Sequence, residues 1–142
     1  MNKITLGHIE TVGIPTLGID AVIAKVDTGA FSGALHCTNI HLSADGTTLS
    51  FDPMGDKKLR TKTTDFTKLM VRSASGHMSE RFRIPVDITI HGVLYAATIG
   101  LTDRSDMDRE MLLGRRFLRE HNMAVDVTIN GEHDTEWKRV NT

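Results

Sequence analysis

The clearest periodicity in the chain lies between Arg81 and Ile90. There Phe82, Ile84, Val86, Ile88 and Ile90 alternate with Arg81, Arg83, Pro85, Asp87 and Thr89. Strict period two predicts a strand with one buried face. Pro85 lacks a backbone donor, which predicts a sheet edge or a position whose nitrogen faces outward. His91-Gly92 reads as a two-residue hairpin turn, with residues 93–99 returning as the next strand. Two shorter apolar runs, residues 19–26 and 111–113, read as buried strands. The first ends in Asp27-Thr28-Gly29-Ala30 and the second in Gly114. Looser alternation through Ile4, Leu6 and Ile9 predicts a first strand over residues 3–11, followed by a turn at 13–18 around Pro15.

The remaining segments fill in around these. Ala34 and Leu35 resume a strand, and residues 38–42 and 48–51 form a pair across the turn chemistry of Ser43-Ala44-Asp45-Gly46-Thr47. Residues 52–58 mix Pro53 and Gly55 with charges and predict an exposed loop. The small, polar run Arg72-Ser73-Ala74-Ser75-Gly76-His77 predicts a hairpin tip, and residues 103–110 a charged loop. Residues 115–121 predict a short helix with Phe117 and Leu118 facing in, 123–129 a last strand, and 131–142 a polar tail anchored only by Trp137. The sum is a single all-β domain over residues 1–142 with one short C-terminal helix.

Composition narrows the function classes. A chain of 142 residues can bury a real core as one domain. Its 17 basic and 18 acidic side chains leave a net charge of -1, which argues against a nucleic-acid partner. Cys37 is the only cysteine, so no intramolecular disulfide forms, as suits a reducing compartment. Met1 to Leu6 carry no long apolar segment, and no run approaches the ~20 residues of a membrane span. The expectation is a cytoplasmic protein without a membrane partner.

The candidate chemistry centres on Asp27. A carboxylate on a rigid strand end, with Gly29 allowing a tight bend, suits catalysis, although strand-then-turn alone also suits a plain loop. The later Met111-Leu112-Leu113-Gly114-Arg115-Arg116-Phe117-Leu118 completes the aspartic-protease pattern, and the chain resembles the retropepsin-like group. Further motifs sharpen the resemblance: Ile14-Pro15-Thr16-Leu17-Gly18, Ala34-Leu35-His36, Val71-Arg72-Ser73, Ser75-Gly76-His77 and Leu101-Thr102-Asp103-Arg104-Ser105. Together, from about Gly7 to Val127, they resemble a bacterial and archaeal family labelled as ATP-dependent zinc proteases. Its members occur attached to, or encoded beside, ATP-grasp ligases of the RimK type.

The resemblance implies a closed acid-protease barrel and an aspartic endopeptidase needing no cofactor. Such chemistry uses two carboxylates that share one proton and hold one water. The chain has a single Asp-Thr-Gly, so the mechanism demands a homodimer with Asp27 from each copy meeting on the two-fold axis. Asp27, Thr28 and Gly29 are then catalytic, with Thr28 a candidate for a bond across the axis. Ala30 is small where the loops meet. Gly114 lets its strand pass behind the Asp27 turn, with Arg115 beside it, or is simply a helix-start glycine. Arg72, Ser73, Ser75, Gly76 and His77 fall where retropepsins place the flap over substrate, or form an ordinary solvated hairpin. Arg104 is either a loop brace or a reader of substrate carboxylates, and Arg72 shares the second role.

The association with glutamate-adding ligases points to acidic or glutamate-modified peptides as substrates and to a RimK-type ligase as a partner. Three departures stand out. Phe31-Ser32-Gly33 replaces the family's Arg-Thr-Ser, Arg109-Glu110 replaces its Tyr-Pro, and Gly7-His8-Ile9-Glu10 replaces its Gly-Trp-Arg-Glu. His36, Cys37 and His41 are spaced poorly for zinc, because adjacent strand residues face opposite ways. His36 reads instead as a hydrogen-bonding partner near the Asp27 loop. Two rivals remain: a non-catalytic module that binds peptide or partner on the same fold, and a metallohydrolase.

Overall fold

The alternating segment becomes the longest strand, Met78–Ile90, with Phe82, Ile84, Val86, Ile88 and Ile90 all buried. The computed structural model describes residues 3–140, and Met1, Asn2, Asn141 and Thr142 lie outside them. Eleven strands follow in chain order: β1 (Ile4–Leu6), β2 (Ile9–Ile14), β3 (Ile19–Asp27), β4 (Gly33–Leu42), β5 (Leu49–Pro53), β6 (Thr61–Thr63), β7 (Thr67–Arg72), β8 (Met78–Ile90), β9 (Val93–Thr102), β10 (Met111–Gly114) and β11 (Met123–Val125). The helices are α1 (Arg115–Glu120) and α2 (Thr135–Val140).

Six strands close on themselves in the order β10-β3-β2-β8-β9-β4, with β4 pairing back onto β10. Closure removes the unpaired edges that an open sheet would leave. Val12, Ile14, Leu35, Ile88, Ile99, Met111 and Leu113 fill the interior at 1% exposure or less. Strands β5 and β6 extend the sheet from β4, and β7 folds against β8 as a projecting hairpin. His91 and Gly92 both have positive φ, 51° and 79°, the signature of a turn that follows the natural twist of paired strands. Pro85 pairs with Thr98 on one side. Its nitrogen points the other way, beside the Asp87 N–H that donates to the Thr16 hydroxyl at 2.8 Å. It therefore interrupts no ladder bond.

Several segments depart from the sequence expectation. The first strand is broken at Gly7-His8. The Gly7 N–H turns to the Glu10 carboxylate at 2.6 Å and the His8 N–H to the Ile129 carbonyl at 2.9 Å. The last strand stops at Val125, because Asp126 accepts from the Thr128 N–H and hydroxyl and turns the chain. Residues 131–140 are not a featureless tail, since they form a single 3-10 turn and then α2. Trp137 is not a buried anchor, being 61% exposed. His8 to Asp134 at 3.3 Å and the Arg109 guanidinium donating to the His133 carbonyl also hold the segment.

Residues 52–58 are an exposed loop only in part. Asp52 and Pro53 belong to β5, and the Asp52 side chain is fully buried. Arg60 grips it with two bonds of 2.7 and 3.1 Å, and the Asn39 amide adds a third at 2.7 Å. Those bonds, chiefly Arg60 and then Asn39, hold the Asp52 carboxyl down at about 2 from its ordinary 3.8. A carboxyl more acidic in the fold than in the unfolded chain stabilises the fold above 3.8 and loses that contribution as pH falls towards about 2. Asp52→Asn is therefore expected to lower the urea midpoint at neutral pH. The gap from wild type should close through that acid window, and a gap independent of pH would refute the assignment.

Candidate active site

Asp27 is the last residue of β3 and pairs in parallel register with Gly114 at the end of β10. The carboxylate is half-buried, and its Oδ1 accepts the Gly29 N–H at 2.9 Å. A Cβ on Gly29 would stand 3.2 Å from that oxygen, so the residue's lack of a side chain sets how closely the turn wraps the carboxylate. Thr28 and Gly29 are exposed and Ala30 half-buried. The Thr28 hydroxyl has no hydrogen-bond partner among the described residues.

The turn is clamped from behind by the start of α1. The Arg115 N–H donates to the Ala30 carbonyl at 2.8 Å, and the Arg116 N–H to the Phe31 carbonyl at 3.0 Å. The Arg115 side chain donates to the Gly29 carbonyl at 3.0 Å and lies over the exposed Phe31 ring, 5.4 Å from its centre. An aromatic ring at position 31 thus meets the guanidinium through its π face. Gly114 is both a helix-start glycine and a point of close approach. A Cβ there would meet the Phe31 carbonyl oxygen at 2.6 Å. The Ser32 hydroxyl beside it is buried and has no partner among the described residues.

Arg104 joins this group from the loop between β9 and β10. It is half-buried, and its guanidinium interacts electrostatically with the Asp27 carboxylate without forming a direct ion pair. Burial lowers its affinity for the proton, while Asp27 pulls the other way. Its Nε donates to the Arg109 carbonyl at 3.0 Å, and its terminal nitrogens have no hydrogen-bond partner among the described residues. Of the two roles the sequence offered for Arg104, the loop brace is present at Nε, and the guanidinium also interacts electrostatically with Asp27.

The flap candidates form a separate group. Arg72, Ser73, Ser75, Gly76 and His77 are all exposed at the tip of the β7–β8 hairpin. The bonds there are local: Ser73 N–H to the His77 carbonyl at 2.8 Å, Gly76 N–H to the Ser73 carbonyl at 2.9 Å, and the Ser73 and Ser75 hydroxyls at 2.9 Å. Gly76 has φ 88°, which favours glycine. Strand parity supplies what the sequence reading missed. Met70 and Arg72 pair with Glu80 and Met78, so all four share the face that carries buried Phe82.

Zinc does not fit the donor set. Cys37 is fully buried, and burial pushes its thiol up to about 12. His36 Nδ1 is occupied by the Arg104 N–H at 2.8 Å. Among the described residues no three His, Cys, Asp or Glu side chains gather in metal-binding geometry. No helix among them is long and apolar enough to cross a membrane.

A closed six-strand barrel offering Asp-Thr-Gly at a strand end, backed by a glycine-led strand-to-helix turn, is a retropepsin-like barrel. Residues 5–134 match the family described as "Retropepsin-like aspartic endopeptidase RimB", and the chain belongs to that RimB-like family. It is 31% identical over 121 residues to a "Probable alpha-L-glutamate ligase" of Shewanella halifaxensis, covering 80% of this chain and 26% of that protein. A protein of the same description from Desulfotalea psychrophila is 30% identical over 125 residues, with 83% and 27% covered. The chain thus spans about a quarter of the length of the curated relatives it matches. A crystal structure of a Legionella pneumophila protein of unknown function shares the fold, with TM-score 0.67, 24% identity, and 89% and 95% of the two chains covered.

Proposed function

We propose that the chain is one subunit of a homodimeric aspartic endopeptidase, with Asp27 of each copy supplying one carboxylate. In this reading one Asp27 takes a proton from a shared water as it attacks the scissile carbonyl carbon. The other, protonated, donates to the carbonyl oxygen. The observation that carries the reading is the Asp27 turn itself: a carboxylate oxygen held by the Gly29 N–H, on a loop clamped by Gly114 and Arg115. The exposed, unpartnered Thr28 hydroxyl supports a second copy meeting the loop here. The β7–β8 hairpin serves as the flap, with Arg72 at its tip.

The substrate is an acidic or glutamate-bearing peptide. Arg104 supports this, with free terminal nitrogens beside Asp27 to bind a carboxylate through two N–H groups. The glutamate ligases among its relatives support it too, and make a RimK-type ATP-grasp ligase the proposed partner. The buried, unpaired Cys37 suits a reducing compartment such as the cytoplasm. A single chain carries one Asp-Thr-Gly, which favours the rival reading of a peptide-binding module for any copy that stays alone.

Hydrolysis of a glutamate-rich peptide by the purified protein, with a metal chelator present, tests the proposal. Cleavage is expected to survive the chelator. Arg104→Ala is expected to raise KM for that peptide roughly tenfold or more, the worth of a charge-assisted bond, and to leave a neutral peptide unaffected. Loss of cleavage with chelator, or an equal effect on both peptides, would contradict the proposal.

A further inference from the structure

The loop that carries Arg104 has an unusual anchor. His36 lies on β4 with its side chain 12% exposed, and three segments meet on it. Its backbone N–H donates to the Glu110 carbonyl at 2.7 Å, tying the end of the 103–110 loop. Its carbonyl accepts the Met54 N–H at 2.8 Å, tying the segment after β5. Its ring Nδ1 accepts the Arg104 N–H at 2.8 Å, tying the start of the loop. The Asp103 carboxylate is 3.7 Å from the same nitrogen, beyond a hydrogen bond, and is occupied by the Ser105 N–H and hydroxyl. The ring's partner is therefore the Arg104 amide. A nitrogen that accepts a hydrogen bond carries no proton, so the ring proton belongs on Nε2.

We infer that His36 is a positioning residue: its Nδ1 lone pair fixes the Arg104 backbone and so aims the guanidinium at the space beside Asp27. Among the described residues Arg104 is otherwise held only from within its own loop, by its Nε on the Arg109 carbonyl at 3.0 Å and by its carbonyl accepting the Met107 N–H at 2.8 Å. Without the ring acceptor, the part-buried Arg104 N–H loses its partner and the loop's start loses its tie to β4. The consequence falls on substrate binding by Arg104 and leaves Asp27 in place. This inference rests on the proposed roles of Asp27 and Arg104.

Two variants separate the lone pair from the bulk of the ring. His36→Phe keeps a ring and removes the acceptor, whereas His36→Asn places an amide oxygen close to where Nδ1 stands. Nitrogen NMR of the wild-type protein is expected to show the Nε2-protonated tautomer. The Arg104 amide proton should move and exchange faster in His36→Phe and stay near its wild-type position in His36→Asn. With a glutamate-bearing peptide, His36→Phe should raise KM roughly tenfold with kcat within about twofold, and His36→Asn should recover most of that loss. A ring protonated on Nδ1, an Arg104 amide indifferent to His36→Phe, or equal losses in both variants would overturn the inference. If the wild type cleaves no peptide, the endopeptidase reading fails, and the two NMR observations still decide the role of His36.

Discussion

Asp27→Asn is expected to abolish peptide hydrolysis while leaving the protein folded and able to associate. The substitution is nearly isosteric, and an amide oxygen at the Oδ1 position still accepts the Gly29 N–H that now binds at 2.9 Å. Asp27 is half-buried and forms no direct ion pair, so the change breaks no salt bridge and costs Arg104 only its longer-range attraction to the carboxylate. What disappears is the ability to take a proton from water and hand it on. General acid–base catalysis of this kind supplies about 10²–10⁴-fold, and both roles are lost together when each copy carries Asn, so the fall should reach or exceed that range. Thermal unfolding should be unchanged, or slightly higher if two Asp27 carboxylates face one another in the proposed dimer. Measured kcat/KM beside a melting curve decides it. A variant that melts normally and still cleaves would remove Asp27 from the chemistry.

Gly114→Ala should damage both stability and activity, through sterics alone. The added methyl would stand 2.6 Å from the Phe31 oxygen, 2.7 Å from the Ser32 carbonyl carbon and 2.9 Å from the Ala30 oxygen. All three are backbone atoms of the segment following Asp27, so no flexible side chain can yield. The same segment accepts the Arg115 and Arg116 N–H groups at 2.8 and 3.0 Å, and pushing it away stretches both bonds. Overpacking of this sort costs about 1–3 kcal/mol. The loop that moves is the one presenting the carboxylate, so kcat should fall more than KM rises. Gly131→Ala is the control, because a methyl there meets nothing within 4 Å. Equal melting temperatures for the two variants would refute the close packing.

The sequence made some of this visible and hid the rest for identifiable reasons. Strand β8 was legible because its inner face alternates without interruption, and its turn because His91-Gly92 suits two positive φ values. The Asp27 turn and Gly114 were legible because a strand-end carboxylate and a close-approach glycine each leave a local signature. Asp52 was misread as loop because its carboxylate is satisfied by residues distant in sequence, paired with Arg60 and hydrogen-bonded by the Asn39 amide. Glu10 is buried for the same kind of reason: His91, 81 residues away, lies 2.9 Å from its carboxylate. Local polarity reports exposure only when the partner is absent, and partners are set by tertiary structure. His36 was legible as a hydrogen-bonding residue near the Asp27 loop, but its partner, the Arg104 N–H, was not, because that contact depends on β4 meeting the 103–110 loop, which no spacing in the chain encodes.

Mixed dimers test the shared site most directly. Wild-type and Asp27→Asn chains, unfolded together and refolded at varied ratios, should associate at random. If each site needs Asp27 from two copies, only pairs of wild-type chains cleave, and activity per total protein should follow the square of the wild-type fraction. Activity proportional to that fraction would mean that each chain works alone, and would contradict a site built on the two-fold axis.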